Sequence, residues 1–203
     1  MMSTTPRRDR LDRGFTLVDT LMTVAVIGII AAVALPQVNS ALDSMRLGMS
    51  LRDVERELQF ARLKAVSSSR PMRVRFDCPS VGSLRVVELL GTTSVPDVND
   101  ADTATVGAVR CSETTYPYRP TGTDTSRLTR PNNDGAIRLL YPNTTFSAKR
   151  TLEFWPDGSV HADAGTGNPW PNIGPAGVAI TLLRKGKTKN IQVNGLGKIL
   201  LDR

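Results

Sequence analysis

Residues 14–35 read Gly14-Phe15-Thr16-Leu17-Val18-Asp19-Thr20, then Leu-Met-Thr-Val-Ala-Val-Ile-Gly-Ile-Ile-Ala-Ala-Val-Ala as far as Leu35. Residues 21–35 carry no charge, and the wider run 15–35 carries only Asp19. As a helix rising about 1.5 Å per residue, 15–35 covers about 31 Å, enough to cross a hydrocarbon core. The preceding stretch holds Arg7, Arg8, Arg10 and Arg13 against Asp9 and Asp12, with no apolar run. That bias keeps the arginines in the cytoplasm and places the rest of the chain outside.

A secretory signal peptide has the same outline, and Ala32-Val33-Ala34 would serve as its cleavage site. Two features count against it. Asp19 sits inside the apolar segment, where an unpaired charge is costly. The helical pattern also continues past Ala34. Leu47, Leu51, Val54, Leu58, Ala61 and Ala65 recur at steps of four and three, one face of a helix. Val38, Leu42, Met45 and Met49 read as the preceding part of a similar stripe, and Pro36 as a kink.

Residues 14–19 followed by the apolar run resemble the class III signal of type IV pilins and pseudopilins. The resemblance implies that a prepilin peptidase cuts between Gly14 and Phe15 and that the new Phe15 amine is methylated. Residues 15–35 would then stay as a membrane anchor and later as filament core. Pro36 matches the proline that kinks the helix in many members. The usual fifth mature residue of that family is glutamate; Asp19 stands there, with the same charge and one methylene fewer. A carboxylate buried among helices needs a cationic partner, and the resemblance implies the first-residue amine of a neighbouring subunit. Asp19 also fits the start of a helix as a cap.

Downstream, the long helix is expected to end near Ser67-Ser68-Ser69, before Pro71. The mixed charges Arg52, Asp53, Glu55, Arg56, Glu57, Arg62 and Lys64 read as a solvated helix face. Strand signals fall at 72–77, 84–90, 136–141, 151–155, 178–183, 189–193 and 198–201, with turns at Pro156-Asp157-Gly158 and Asn194-Gly195. Residues 91–135 are rich in Thr, Asp, Asn, Pro and Ser and read as an excursion, functional or mobile, with short strands near 106–111. The expected fold is α+β: a long N-terminal transmembrane helix packed on a C-terminal antiparallel β-sheet or β-sandwich domain. The expected organisation is a leader at 1–14, a helix at 15–66 (15–35 transmembrane, 36–66 amphipathic) and a β domain at 67–203.

This order resembles the GspH/FimT branch of minor pseudopilins. Leu58-Gln59-Phe60-Ala61-Arg62-Leu63-Lys64-Ala65 is similar to that branch's helix end. Phe154-Trp155-Pro156-Asp157-Gly158-Ser159 is similar to its hairpin, and Ile180-Thr181-Leu182 with Ile191-Gln192-Val193-Asn194 to its last strands. The resemblance implies a structural subunit of a type II secretion pseudopilus or a type IV pilus. It would sit in the inner membrane by a single pass, with its C-terminal domain in the periplasm. Its partners would be the prepilin peptidase, other major and minor pseudopilins or pilins, and secreted cargo or DNA.

Other chemistry is sparse. With one histidine and two cysteines, a zinc site or a His-based triad is not expected, nor any enzyme activity, metal or cofactor. His161 reads as a surface residue after a turn, and Trp155 and Trp170 as packing groups. Cys78 and Cys111, 33 positions apart, read either as a disulfide or as two separate thiols. Arg184, Lys185, Lys187 and Lys189 surround Gly186 between two strand signals, which describes a hairpin with a cationic tip. Such a tip would suit DNA phosphates, as in FimT-like DNA-binding pilins, or would protect a sheet edge from aggregation. The Gly-Arg-x-Arg run of those pilins is missing: residues 195–200 hold only Lys198 as a basic group. The net charge of +7 divides accordingly. Residues 1–14 carry +2, residues 184–203 carry +5, and the body between them sums to zero.

Overall fold

Helix α1 runs Leu17–Ser68. A capping box starts it: Asp19 N donates to Thr16 Oγ1 (3.2 Å), while Thr16 N (3.2 Å) and its hydroxyl (2.7 Å) donate to Asp19 Oδ2. Pro36 lies inside the helix, where its missing N–H removes one rung of the hydrogen-bond ladder. This computed structural model describes residues 15–91, 97–118, 126, 131–163 and 169–201. The chain divides into two compact units, 1–42 and 43–203.

In the first unit the helix is apolar and uncovered. Phe15 is 83% exposed, and Leu21, Val24, Ile27, Ile30 and Leu35 are exposed as well. It is a helix long and apolar enough to cross a membrane.

In the second unit the same helix becomes one wall of a core. Leu47, Leu51, Val54, Leu58, Ala61 and Ala65 are each 3% exposed or less. The expected earlier portion of that stripe lies elsewhere: Val38, Leu42, Met45 and Met49 are all exposed. Met49 follows Leu47 by two residues, about 200° around the helix axis, so the two stripes occupy opposite faces.

Two antiparallel sheets complete the unit. Strands β1 (Met72–Phe76), β2 (Ser83–Glu88), β3 (Arg138–Leu139), β5 (Leu152–Phe154) and β6 (Val160–Ala162) form one, in the order β3-β2-β1-β5-β6. Strands β4 (Thr144–Ala148), β7 (Val178–Arg184), β8 (Lys187–Val193) and β9 (Ile199–Leu201) form the other, in the order β4-β7-β8-β9. Alternate residues face inward. Met72, Val74, Leu84, Val86, Leu152 and Phe154 meet Phe146, Ile180, Leu182, Ile191 and Val193 in a single core with the buried face of α1. Asp157 Oδ1 accepts Ser159 N–H (2.9 Å) in the turn between β5 and β6, where Gly158 takes φ +84°. In the β8–β9 turn Asn194 Oδ1 accepts from Leu196 N (3.1 Å) and Lys198 N (2.8 Å).

Several local expectations are corrected. Residues 106–111 belong not to a strand but to helix α2 (Ala104–Cys111), capped by Thr103 Oγ1, which accepts Val106 N–H at 3.3 Å. Of 136–141 only Arg138 and Leu139 pair, against Leu84 and Ser83. Strands β4 and β6 were not anticipated: one is Thr-rich at a sheet edge, the other three residues long. The described part of the excursion is packed, with Gly107, Arg110, Cys111 and Tyr116 buried.

The two faces of α1 predict unequal mutational costs. Leu58→Ala should destabilise the second unit by about 3 kcal/mol in chemical denaturation followed by tryptophan fluorescence. Met45→Ala, on the exposed face, should stay within about 0.5 kcal/mol.

Candidate functional site

The helix start is the first candidate. Gly14 lies outside the described residues. Phe15 projects without a covering group, and the exposed Asp19 is engaged by Thr16 in the capping box. The capping role weighed from the sequence is therefore the one this single chain displays. Among the described residues Asp19 has no cationic partner.

The second candidate lies where α1 enters the β domain. The β7–β8 hairpin turns through Lys185 (φ +46°) and Gly186 (φ +79°), with Arg184 paired to Lys187. Two consecutive positive φ values are what a two-residue turn of this twist requires. Arg184 is only 3% exposed: its Nε and Nη2 donate to Asp43 Oδ1 at 3.1 and 3.0 Å. Its Nη1 donates to the Pro142 carbonyl and to Thr144 Oγ1. Lys185 Nζ sits 3.0 Å from Asp43 Oδ2, with 58% of its side chain exposed. Lys187 Nζ donates to Ser44 Oγ at 2.8 Å. Lys189 approaches Gly48 beside a groove of about 870 Å³ lined also by Met45, Met49, Leu51 and Leu200. The four hairpin cations thus gather along residues 43–48 of α1, and one of them, Arg184, is internal.

Asp43 joins hairpin to helix and was missed in the sequence. Its only sequence signal is position, as the first charged residue after Asp19. The Lys185 ammonium, then the Arg184 guanidinium, hold its carboxyl below the usual carboxylate range, against an opposing effect of burial.

The third cluster occupies the outer face of the five-stranded sheet. Arg73, Arg75 and Arg85 alternate with core residues on β1 and β2, so they point away from the core and under the excursion. Arg73 pairs with Glu153 (2.5 Å) and donates to the Asp100 carbonyl. Arg75 pairs with Asp102 (2.5 Å). Arg85 donates to the carbonyls of Gly135 (3.0 Å), Arg110 (3.1 Å) and Tyr116 (2.5 Å). Arg110 holds Asp134 (3.0 Å), whose Oδ1 also accepts Glu88 N–H (2.8 Å). Burial pushes the Asp134 carboxyl up, with Arg110 the largest opposing influence. Cys78 and Cys111 are joined, Cα atoms 5.2 Å apart, tying the end of α2 to the residues after β1. These arginines fasten the excursion to the sheet; most of their donors are committed to carboxylates and carbonyls, while Arg75 Nε and Arg110 Nη1 are buried without a hydrogen-bond partner among the described residues.

His161 is half-buried rather than at the surface. It stacks on Trp155 with ring centroids 3.9 Å apart, and bonds Ser159 Oγ (2.8 Å) and the Trp170 carbonyl (2.7 Å). The carbonyl can only accept, so Nδ1 donates and Nε2 faces a serine that also bonds Asp157 (2.6 Å). This arrangement fixes a hairpin. Among the described residues no group of three or more His, Cys, Asp or Glu side chains could hold a metal ion.

The class of protein defined here is an α+β chain with an uncovered apolar N-terminal helix that continues into a two-sheet antiparallel domain. Solved structures similar to it include the type IV minor pilin FimU of Pseudomonas aeruginosa, at 15% identity over 77% of this chain and 88% of that one, with a TM-score of 0.42. The minor pseudopilin EpsH from the Type 2 Secretion System of Vibrio cholerae is similar at 11% identity over 77% of this chain and 96% of that one, also at 0.42. No protein-family model and no curated protein matches the sequence.

Two outcomes follow from the site. Asp43→Asn should lower the melting temperature at pH 7. A depressed carboxyl stabilises the fold above its unfolded value, near 3.8, and that contribution is lost as pH falls below it. Parent and variant should therefore converge in acid melting curves. Arg110→Met should cost about 3–5 kcal/mol, because it leaves the buried Asp134 without its nearest guanidinium. Urea titration measures it.

Proposed function

We propose that this chain is a minor pilin-type structural subunit, made as a membrane-anchored precursor and used in a pseudopilus or pilus. The observation that carries the reading is the first stretch of α1, residues 17–42: apolar, exposed, and preceded directly by Gly14-Phe15-Thr16, with Asp19 in its first turn. A prepilin peptidase cleaves after Gly14 and the Phe15 amine is methylated. Residues 15–35 hold the subunit in the inner membrane with the β domain in the periplasm. They then pack among like helices of other pilins or pseudopilins. There Asp19 exchanges its bond to Thr16 for a neighbour's N-terminal amine. The disulfide suits an oxidising compartment outside the cytoplasm. The work done is assembly, not turnover.

The alternative is a DNA receptor of the FimT-like kind, acting in DNA uptake through the β7–β8 hairpin. It is less well supported. Arg184 is buried on Asp43, and Lys185 and Lys187 already bond Asp43 and Ser44.

Gly14→Ile should leave the precursor at full length when it is expressed with a prepilin peptidase, whereas the parent shortens by 14 residues on a denaturing gel. Asp19→Ala should still be shortened but fail to enter filaments, and Asp19→Glu should enter them. Shortening of Gly14→Ile to the parental size would refute the reading.

A further inference from the structure

Charge changes abruptly where α1 enters the second unit. Residues 20–42 hold no charged side chain; Asp43 and Arg46 then follow within one turn. The β7–β8 hairpin, 141 positions away in sequence, folds its tip onto that turn through Arg184, Lys185 and Lys187. Arg46 and Lys185 are exposed there, and Lys189 lies half-buried beside Gly48. The acid of the group, Asp43, is buried and already shared by two cations.

Connectivity limits where these cations can go. Eight residue steps separate Leu35 from Asp43. They span about 12 Å at helical rise and less than about 29 Å fully extended. Whatever the orientation of the two units, this pole of the β domain stays within that reach of the apolar segment's end.

We infer that the pole is a collar for anionic phospholipid headgroups, with Arg46 and Lys189 on the phosphates of phosphatidylglycerol while the subunit is held in the bilayer. The inference rests on the reading of residues 15–35 as a membrane anchor. Long basic side chains lay their stems along apolar surface and keep their charge in the headgroup layer. Each gains about fivefold in partitioning to an anionic surface. The tether makes the lipid contact intramolecular in effect, so a few cations suffice. A DNA duplex would have to win the same cations from solution. The collar does not oppose the expected topology. Orientation follows basic residues flanking the span, where Arg7, Arg8, Arg10 and Arg13 on one side outnumber Arg46 and Arg52 on the other, whereas Lys189 belongs to a folded domain that crosses regardless of its charge.

The test uses the full chain reconstituted in vesicles. An environment-sensitive dye is placed on Thr188→Cys, an exposed hairpin position; Cys78 and Cys111 are bonded to each other. Quenching is read from a quencher carried on tracer-lipid headgroups. Vesicles are phosphatidylcholine alone, or phosphatidylcholine with one third phosphatidylglycerol. The collar predicts stronger quenching with phosphatidylglycerol. It also predicts loss of that gain in 1 M salt, where the Debye length falls to about 3 Å. The double variant Arg46→Gln/Lys189→Gln, which leaves the Asp43 bonds in place, should weaken headgroup association at least about fivefold. Equal quenching in both lipids, or an undiminished gain in the double variant, overturns the collar. So does hairpin binding of duplex DNA that lipid does not displace. A chain that fails to float with vesicles of either kind refutes the anchor, and the collar with it. A chain that floats without phosphatidylglycerol dependence refutes the collar alone.

Discussion

A helical segment with no charge over residues 20–42 and with its large apolar side chains exposed presents a continuous apolar surface that water does not tolerate. Every backbone group inside such a helix except at Pro36 is satisfied by the helix itself, so hydrocarbon or a bundle of like helices can receive it. The rest of the structure is arranged around that constraint. Within the second unit the sheets cover α1 along Leu47, Leu51, Val54, Leu58, Ala61 and Ala65; in the first unit the helix exposes its apolar residues.

The second unit is fastened in two different ways. Its interior is an apolar core shared by two sheets and one helix face. Its periphery is ionic. Asp43 binds the β7–β8 hairpin to the helix, and Arg73, Arg75, Arg85 and Arg110 bind the excursion to the outer face of the first sheet. Buried pairs of this kind add little compared with an apolar replacement, yet losing one partner is costly. They specify where a polar, Thr- and Asp-rich segment lies, which its own sparse apolar residues could not do. The Cys78–Cys111 bond restrains the same segment covalently.

What was legible in the sequence was what depends on near neighbours. The four-and-three spacing marks the buried face of α1, and alternation marks β1, β2, β7 and β8. The turns at Asp157-Gly158 and Asn194-Gly195 are marked by residues that bond their own backbone. What was not legible depends on distant partners. Nothing around residue 43 signals Arg184, and nothing around Arg85 signals the carbonyls of Arg110, Tyr116 and Gly135. A basic quartet in a hairpin reads as surface until Asp43 draws one member inside. Val38, Leu42, Met45 and Met49 read as leading into the Leu47 stripe because steps of four and three fit both faces. Residues 106–111 read as a strand because Val106 and Val109 favour one, although Thr103 caps a helix there.

The central claim is that the apolar helix is kept and used, not discarded as a secretory leader. The mass of the N-terminal peptide of the protein, purified from membranes of a host with a prepilin peptidase, tests it most directly. The account predicts a peptide that begins at Phe15 and carries one methyl group on its amine. A peptide that begins at Leu35, after Ala32-Val33-Ala34, would contradict it.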